Sequence, residues 1–140
     1  MTTAIVSGNT GATYSGVNDA RIQEGVPDNN DSSAASYSLR GQTSGNRRMV
    51  VKFTGLSNIT GPVTVSSATL SLYDETGIDA AYQVSRISRN WVLSEVTWNS
   101  YDATHSWTTG GATGVGDSTS TMPPHGPELL AITICPMHSS

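Results

Sequence analysis

The stretch GNRRMVVKF, residues 45–53, sets Arg47, Met49, Val51 and Phe53 on one face of an extended chain and Arg48, Val50 and Lys52 on the other. An apolar, β-branched centre closed upstream by Gly45-Asn46 reads as a strand. Two adjacent arginines at its head stand out in a chain with only 13% charged residues. Because Arg48 shares its face with Lys52, Arg48 is expected to be the more exposed of the two.

The same period of two recurs along the chain. Candidate strands cover 3–7, 20–24, 36–40, 47–53, 63–73, 82–88, 95–98 and 129–135. Within VTVSSATLSLY, residues 63–73, Ala68, Leu70 and Leu72 share a face, while Val63 and Val65 are on the opposite phase. A phase switch across Ser66-Ser67 suggests a bulge or bend. No long segment carries a helical period, and Gly, Asn, Asp and Ser clusters separate the apolar runs. The expected fold is all-β: an antiparallel two-sheet β-sandwich, jelly-roll-like, with Leu70, Leu72, Val51 and Phe53 in the core. Residues 1–107 form the sandwich domain, and 108–140 a polar loop or arm followed by a terminal strand. That strand either completes its own sandwich or pairs with a neighbour, giving a homo-oligomer with Leu130, Ile132 and Ile134 at the interface.

At 140 residues the chain is the size of one domain. A net charge of -4 with seven Lys plus Arg gives no footprint for nucleic acid or anionic membrane, so neither is an expected partner. Cys135 is the single cysteine and cannot close an internal disulfide. The first residues show neither a basic region nor an apolar run of signal length, which predicts assembly in a cytoplasm. The sequons at Asn30 and Asn58 then read as polar turns.

No nucleophile elbow or acid–base constellation appears, and His105, His125 and His138 all fall in or after the polar segment, so no enzymatic activity is expected. Asp28, Asn29, Asn30 and Asp31 place four hard oxygen side chains in one loop. A solvated Asx turn is the leading reading, so no cofactor is expected; the alternative is calcium held by Asp28, Asn30 and Asp31. The repeating acid rhythm of a dedicated calcium loop is missing. Trp91, Trp98, Tyr101 and Trp107 gather in the second half. Trp91 and Trp98 are expected in the core, whereas Trp107 and Tyr101 with Arg89 are candidates for stacking against a sugar ring.

The segments NDARIQEGVPDNND, SYSLRGQTSGNRRMVVKF, VTVSSATLSLY and YQVSRISRNWVLSEVTWNSYD, with Trp107 following, resemble in that order a DNRLRE-type, disaggregatase-related β-sandwich domain across residues 18–107. Such domains occur in prokaryotic surface proteins, phage structural proteins and related carbohydrate-binding modules. The resemblance implies a jelly-roll-like sandwich with a binding or structural role and no catalytic machinery. It also implies that one of the paired arginines lies over sheet or Trp surface with its guanidinium on backbone carbonyls. The chain departs from the pattern after the Trp-rich segment, where only ELLAITIC supplies closing strands, and at Asp31, where glycine is common. Two functions follow. The first is a non-catalytic virion structural protein, a phage capsid decoration (cement) protein on the particle exterior, with the major capsid protein or other virion subunits as partners. The alternative is an extracellular carbohydrate-binding module recognising a polysaccharide.

Overall fold

A computed structural model describes residues 16–55, 82–119 and 131–136 of the chain. The five strands among them are β1 Val17–Gln23, β2 Arg47–Phe53, β3 Tyr82–Ile87, β4 Ser118–Thr119 and β5 Ala131–Pro136. They form one antiparallel sheet in the order β1-β2-β5-β3-β4. The fold is an antiparallel β-sandwich, as the alternation in the sequence leads one to expect. The candidate strands 3–7 and 63–73, with Leu70 and Leu72, lie outside the described residues.

Strand β2 shows why both faces of the sheet are apolar. Across from it, β1 pairs Ala20 with Val50 and Ile22 with Arg48, so Ala20, Ile22 and Val50 share a face and are fully buried. Trp91, Val96, Trp98, Trp107 and Ala112 pack on that face together with Ile87. A buried aromatic of this size removes roughly 150–250 Å² from water. At about 25 cal/mol per Å² that is roughly 4–6 kcal/mol each before the entropy of ordering. The three tryptophans therefore dominate this core. The opposite face carries Met49 and Val51, with Val17, Tyr37, Leu39 and the half-buried Phe53 against them.

Three expectations are corrected. Residues 36–40 form no ladder: Tyr37 and Leu39 do point into the second cluster, but apart from the single bridge between Arg40 and Arg47 they have no strand beside them. Residues 95–98 are irregular instead of a strand and leave a turn over 93–95, with the Glu95 and Val96 N–H groups both donating to the Val92 carbonyl at 3.1 and 2.9 Å. Their apolar side chains follow the demands of the core, not an alternating ladder. Finally, residues 108–117 of the polar stretch form a loop of turns packed on the core, not an extended arm. Ala112 and Asp117 are fully buried, and the chain enters β4 directly afterwards.

That last segment packs by polar means. The buried Asp117 carboxylate accepts from the backbone N–H groups of Thr109 and Gly114, both at 3.1 Å, and from Arg89 at 3.5 Å. Burial alone would raise its pKa, but the N–H groups of Thr108 and Thr109 outweigh it and hold the carboxyl below its usual range. A stretch whose only apolar residues are Ala112 and Val115 thereby acquires a polar centre to fold around.

Strand β5 settles the place of the terminal apolar run. It lies between β2 and β3, pairing Val51 with Ile132 on one side and Val84 with Ile134 on the other. Both of its backbone edges are used within its own sheet, so Ile132 and Ile134 do not present a free strand edge to a neighbouring subunit. Leu130 lies outside the described residues.

Candidate functional site

The paired arginines take opposite faces, and the roles are the reverse of the expectation. Arg48 lies over the Trp98 ring with its guanidinium carbon 4.8 Å from the ring centroid, and its Nη1 donates to the Gly111 carbonyl. Arg47 turns to the other face and donates to the exposed Ser38 hydroxyl at 2.9 Å. Lys52, taken as the mark of an exposed face, is itself only 8% exposed. Its ammonium sits 4.7 Å from the Trp91 ring centroid, donates to the Trp91 carbonyl and reaches Asn90 Oδ1 at 3.5 Å. Alternation places both cations correctly on one face. It carries no information about the aromatic roof above them, which comes from residues some forty positions later.

Burial pulls the Lys52 pKa down. The ammonium lies at an open groove of about 480 Å³ bordered by Asn18, Ser32, Asn90, Trp91 and Ser94. Register accounts for one wall, since Asn18 is the cross-strand partner of Lys52. Asn30 accounts for another: its amide donates to the carbonyls of Leu93 and Val96 at 2.9 and 2.7 Å, fastening the 28–31 loop to the segment that follows Trp91. The groove thus offers an ammonium, amides and hydroxyls in one place. That donor-rich, half-apolar lining suits a polyhydroxylated ligand. Read along the sequence, Lys52 is only one of three basic residues, with Arg86 and Arg89, that could form a patch for a polysaccharide, and Asn90 carries no signal of its own. The available signal was Lys52 itself, the only lysine in the chain, set inside a core strand.

A second group adjoins the same segment. Tyr101 stacks on His105 with centroids 5.4 Å apart and 7° between planes, and meets Trp107 at 5.3 Å. The Arg89 guanidinium lies 5.8 Å from the Tyr101 centroid. The Val92 N–H donates to the Tyr101 carbonyl at 2.9 Å, which ties this group to the edge of the groove. Asp102 holds His105 through its ring Nδ1 at 2.9 Å and accepts the N–H groups of Thr104 and His105, both at 2.8 Å. Those bonds, the Thr104 N–H first, bring the Asp102 pKa down to about 2.

Of the residues singled out for sugar stacking, Tyr101 is half-buried and Arg89 exposed, and the structure brings them together. Trp107 belongs to the core. It is 5% exposed and its indole N–H donates to the Thr97 carbonyl at 3.0 Å, so its ring has no open face for a ligand. Trp91 and Trp98 are buried as expected. The oxygens considered for calcium each have a partner within the protein. Asp31 takes Arg21 at 2.6 Å, Asn30 Oδ1 accepts from Ser32 at 2.7 Å, and Asp28 accepts from Asn99 at 2.8 Å. Among the described residues no group of three His, Cys, Asp or Glu side chains is placed to hold a metal ion.

No curated protein and no solved structure matches the chain. The model of carbohydrate-binding module family 96 matches residues 10–117, a span that contains β1 to β3, the groove and the Tyr101 group. The chain belongs to carbohydrate-binding module family 96.

Proposed function

We propose that this domain binds a polysaccharide across the groove at Lys52, with Arg89 and Tyr101 extending the contact along the adjoining edge. The observation that carries the reading is the Lys52 ammonium, held by the Trp91 carbonyl beside the Asn18, Ser32 and Asn90 side chains in an open groove. Ammonium, amide and hydroxyl groups donate to and accept from sugar hydroxyls, while the exposed Val92 at the groove edge offers apolar contact to C–H faces. Such a module works by binding, and the groove contains no paired carboxylates of the kind that glycoside hydrolysis requires. One support of the virion reading, a terminal strand left for a neighbour, falls away because β5 is paired on both sides, and the family match favours the carbohydrate-binding alternative.

Lys52 also provides the test. As the only lysine, it is the single side-chain amine that an acylating reagent reports, with the chain terminus as the other amine. Protein incubated with xylan, mannan, β-glucan or alginate oligosaccharides, then pulse-acetylated and mapped by mass spectrometry, should show slowed modification at Lys52 with the bound glycan and no change with the others. Affinity electrophoresis on the same panel should show retention that Asn90→Ala weakens. Retention without protection of Lys52 would move the site elsewhere, and no retention on any glycan would remove the proposal.

A further inference from the structure

Two of the seven cations of this acidic chain, Arg21 and Arg47, meet on the face of the sheet opposite Lys52. Arg21 is the cross-strand partner of Met49 and therefore shares a face with Met49 and Arg47, not with Arg48 and Lys52. Arg21 Nη1 and Arg47 Nη1 both donate to the Ser38 hydroxyl oxygen at 2.9 Å. Arg40 is joined to Arg47 by reciprocal backbone hydrogen bonds of 3.1 and 2.8 Å, and its exposed side chain bonds Gln42.

The arrangement is built, not accidental crowding. Asp31 grips Arg21 from one side, accepting from Nε at 2.8 Å and Nη2 at 2.6 Å, which leaves Nη1 directed at Ser38. The Arg21 guanidinium carbon also lies 5.9 Å from the Tyr37 centroid. With one carboxylate spent on Arg21, Arg47 has no carboxylate among its described hydrogen-bond and ion-pair partners. Ser38 is exposed, and its hydroxyl oxygen accepts from both arginines, so its own O–H is left as a third donor. Two guanidinium groups and a hydroxyl donor converging at a solvent-facing point form a receptor for an oxyanion.

We propose that Ser38, Arg47 and Arg21, with Arg40 alongside, form an oxyanion-binding site for a sulfate or carboxylate group, separate from the groove and on the opposite face of the sheet. The anion replaces Ser38 Oγ as the acceptor shared by the two guanidinium groups, and Ser38 turns to donate to it. A domain so equipped contacts a neutral stretch of glycan on one face and a charged substituent on the other.

The test uses dextran sulfate against neutral dextran in affinity electrophoresis at low salt, together with inorganic sulfate titrated into ¹⁵N-labelled protein. Dextran sulfate should retard the protein and dextran should not. Arg47→Gln should weaken that retention roughly ten- to a hundredfold, the span expected when one charge-assisted hydrogen-bonding group is lost. Arg86→Gln removes the same charge elsewhere on the sheet and should cost much less. Saturable shifts at Ser38 and Arg47 with inorganic sulfate alone would show that a free ion suffices; shifts only with the polymer would place the group on a glycan. If circular dichroism shows Arg47→Gln unfolded, the exposed Ser38→Ala gives the reading instead. Equal retardation by both dextrans, or equal losses in Arg86→Gln and Arg47→Gln, would overturn the site.

Discussion

Gly110 and Gly111, compared with Gly55 beyond the end of β2, separate the two reasons why a side chain is excluded where the 108–117 segment meets the core. Gly55 has φ +75° and nothing within 4 Å of where a Cβ would stand, so Gly55→Ala meets backbone strain alone. Gly110 has no left-handed φ, but a Cβ there would come within 2.6 Å of Trp98 Nε1 and 2.9 Å of Trp98 Cδ1. Gly111 combines both, with φ +76° and a Cβ 2.5 Å from Arg48 Nη1 and 2.6 Å from Trp98 Cη2. Placing an L-residue in the left-handed region costs about 1–2 kcal/mol, offset by about 0.4–1 kcal/mol from the stiffer unfolded chain. Overpacking a well-filled site costs about 1–3 kcal/mol. Trp98 is 9% exposed and has Arg48 stacked on it, so it has little room to give way. Gly55→Ala should therefore destabilise by about 1 kcal/mol or less, Gly110→Ala by about 1–3, and Gly111→Ala by about 2–4, close to the sum of the other two. Urea denaturation followed by tryptophan fluorescence measures all three against the same native baseline. If Gly111→Ala costs no more than Gly55→Ala, the segment is not clamped on Trp98 and the packing described for it is wrong.

Other expectations are quicker to state. Arg48→Met keeps an apolar stem but loses the contact over Trp98 and the bond to the Gly111 carbonyl, and should cost about 2–4 kcal/mol in the same assay, against about 1 or less for Arg47→Met. Equal costs would mean that the two arginines are assigned to the wrong faces. The Asp102 carboxyl is depressed from its ordinary 3.8 to about 2, so its hold on the Thr104 and His105 N–H groups is fully present above about pH 4 and fails as the pH falls toward 2. An NMR titration with a midpoint near 4 would contradict that loop geometry. Asp117→Asn exchanges a buried acceptor for a group that presents an amide to Arg89, and should cost about 1–3 kcal/mol and speed amide exchange at Thr109 and Gly114. Unchanged exchange there would show that the segment does not fold around this carboxylate.

The sequence alone was enough to establish the all-β class, the span of β2 and the existence of β1, β3 and β5, because alternation of side chains along an extended chain is a local property. It also indicated which residues of β2 share a face, and that Trp91 and Trp98 are core. It did not show what each face meets. Arg48 and Lys52 look solvated when read along the strand, yet Trp98 and Trp91, which cover them, come from a segment some forty residues away. The polar 108–117 stretch looked unable to pack because its stabilising centre is one carboxylate, Asp117, whose partners are backbone N–H groups that composition does not distinguish. Trp107 looked available for a sugar because the residues after it are polar, and its burial depends on that same folded segment. Tertiary structure alone decided the groove at Lys52, the pairing of Arg21 with Arg47 around Ser38 and the central place of β5. Each depends on which strands lie side by side, and that order is set by long-range pairing that no local pattern encodes.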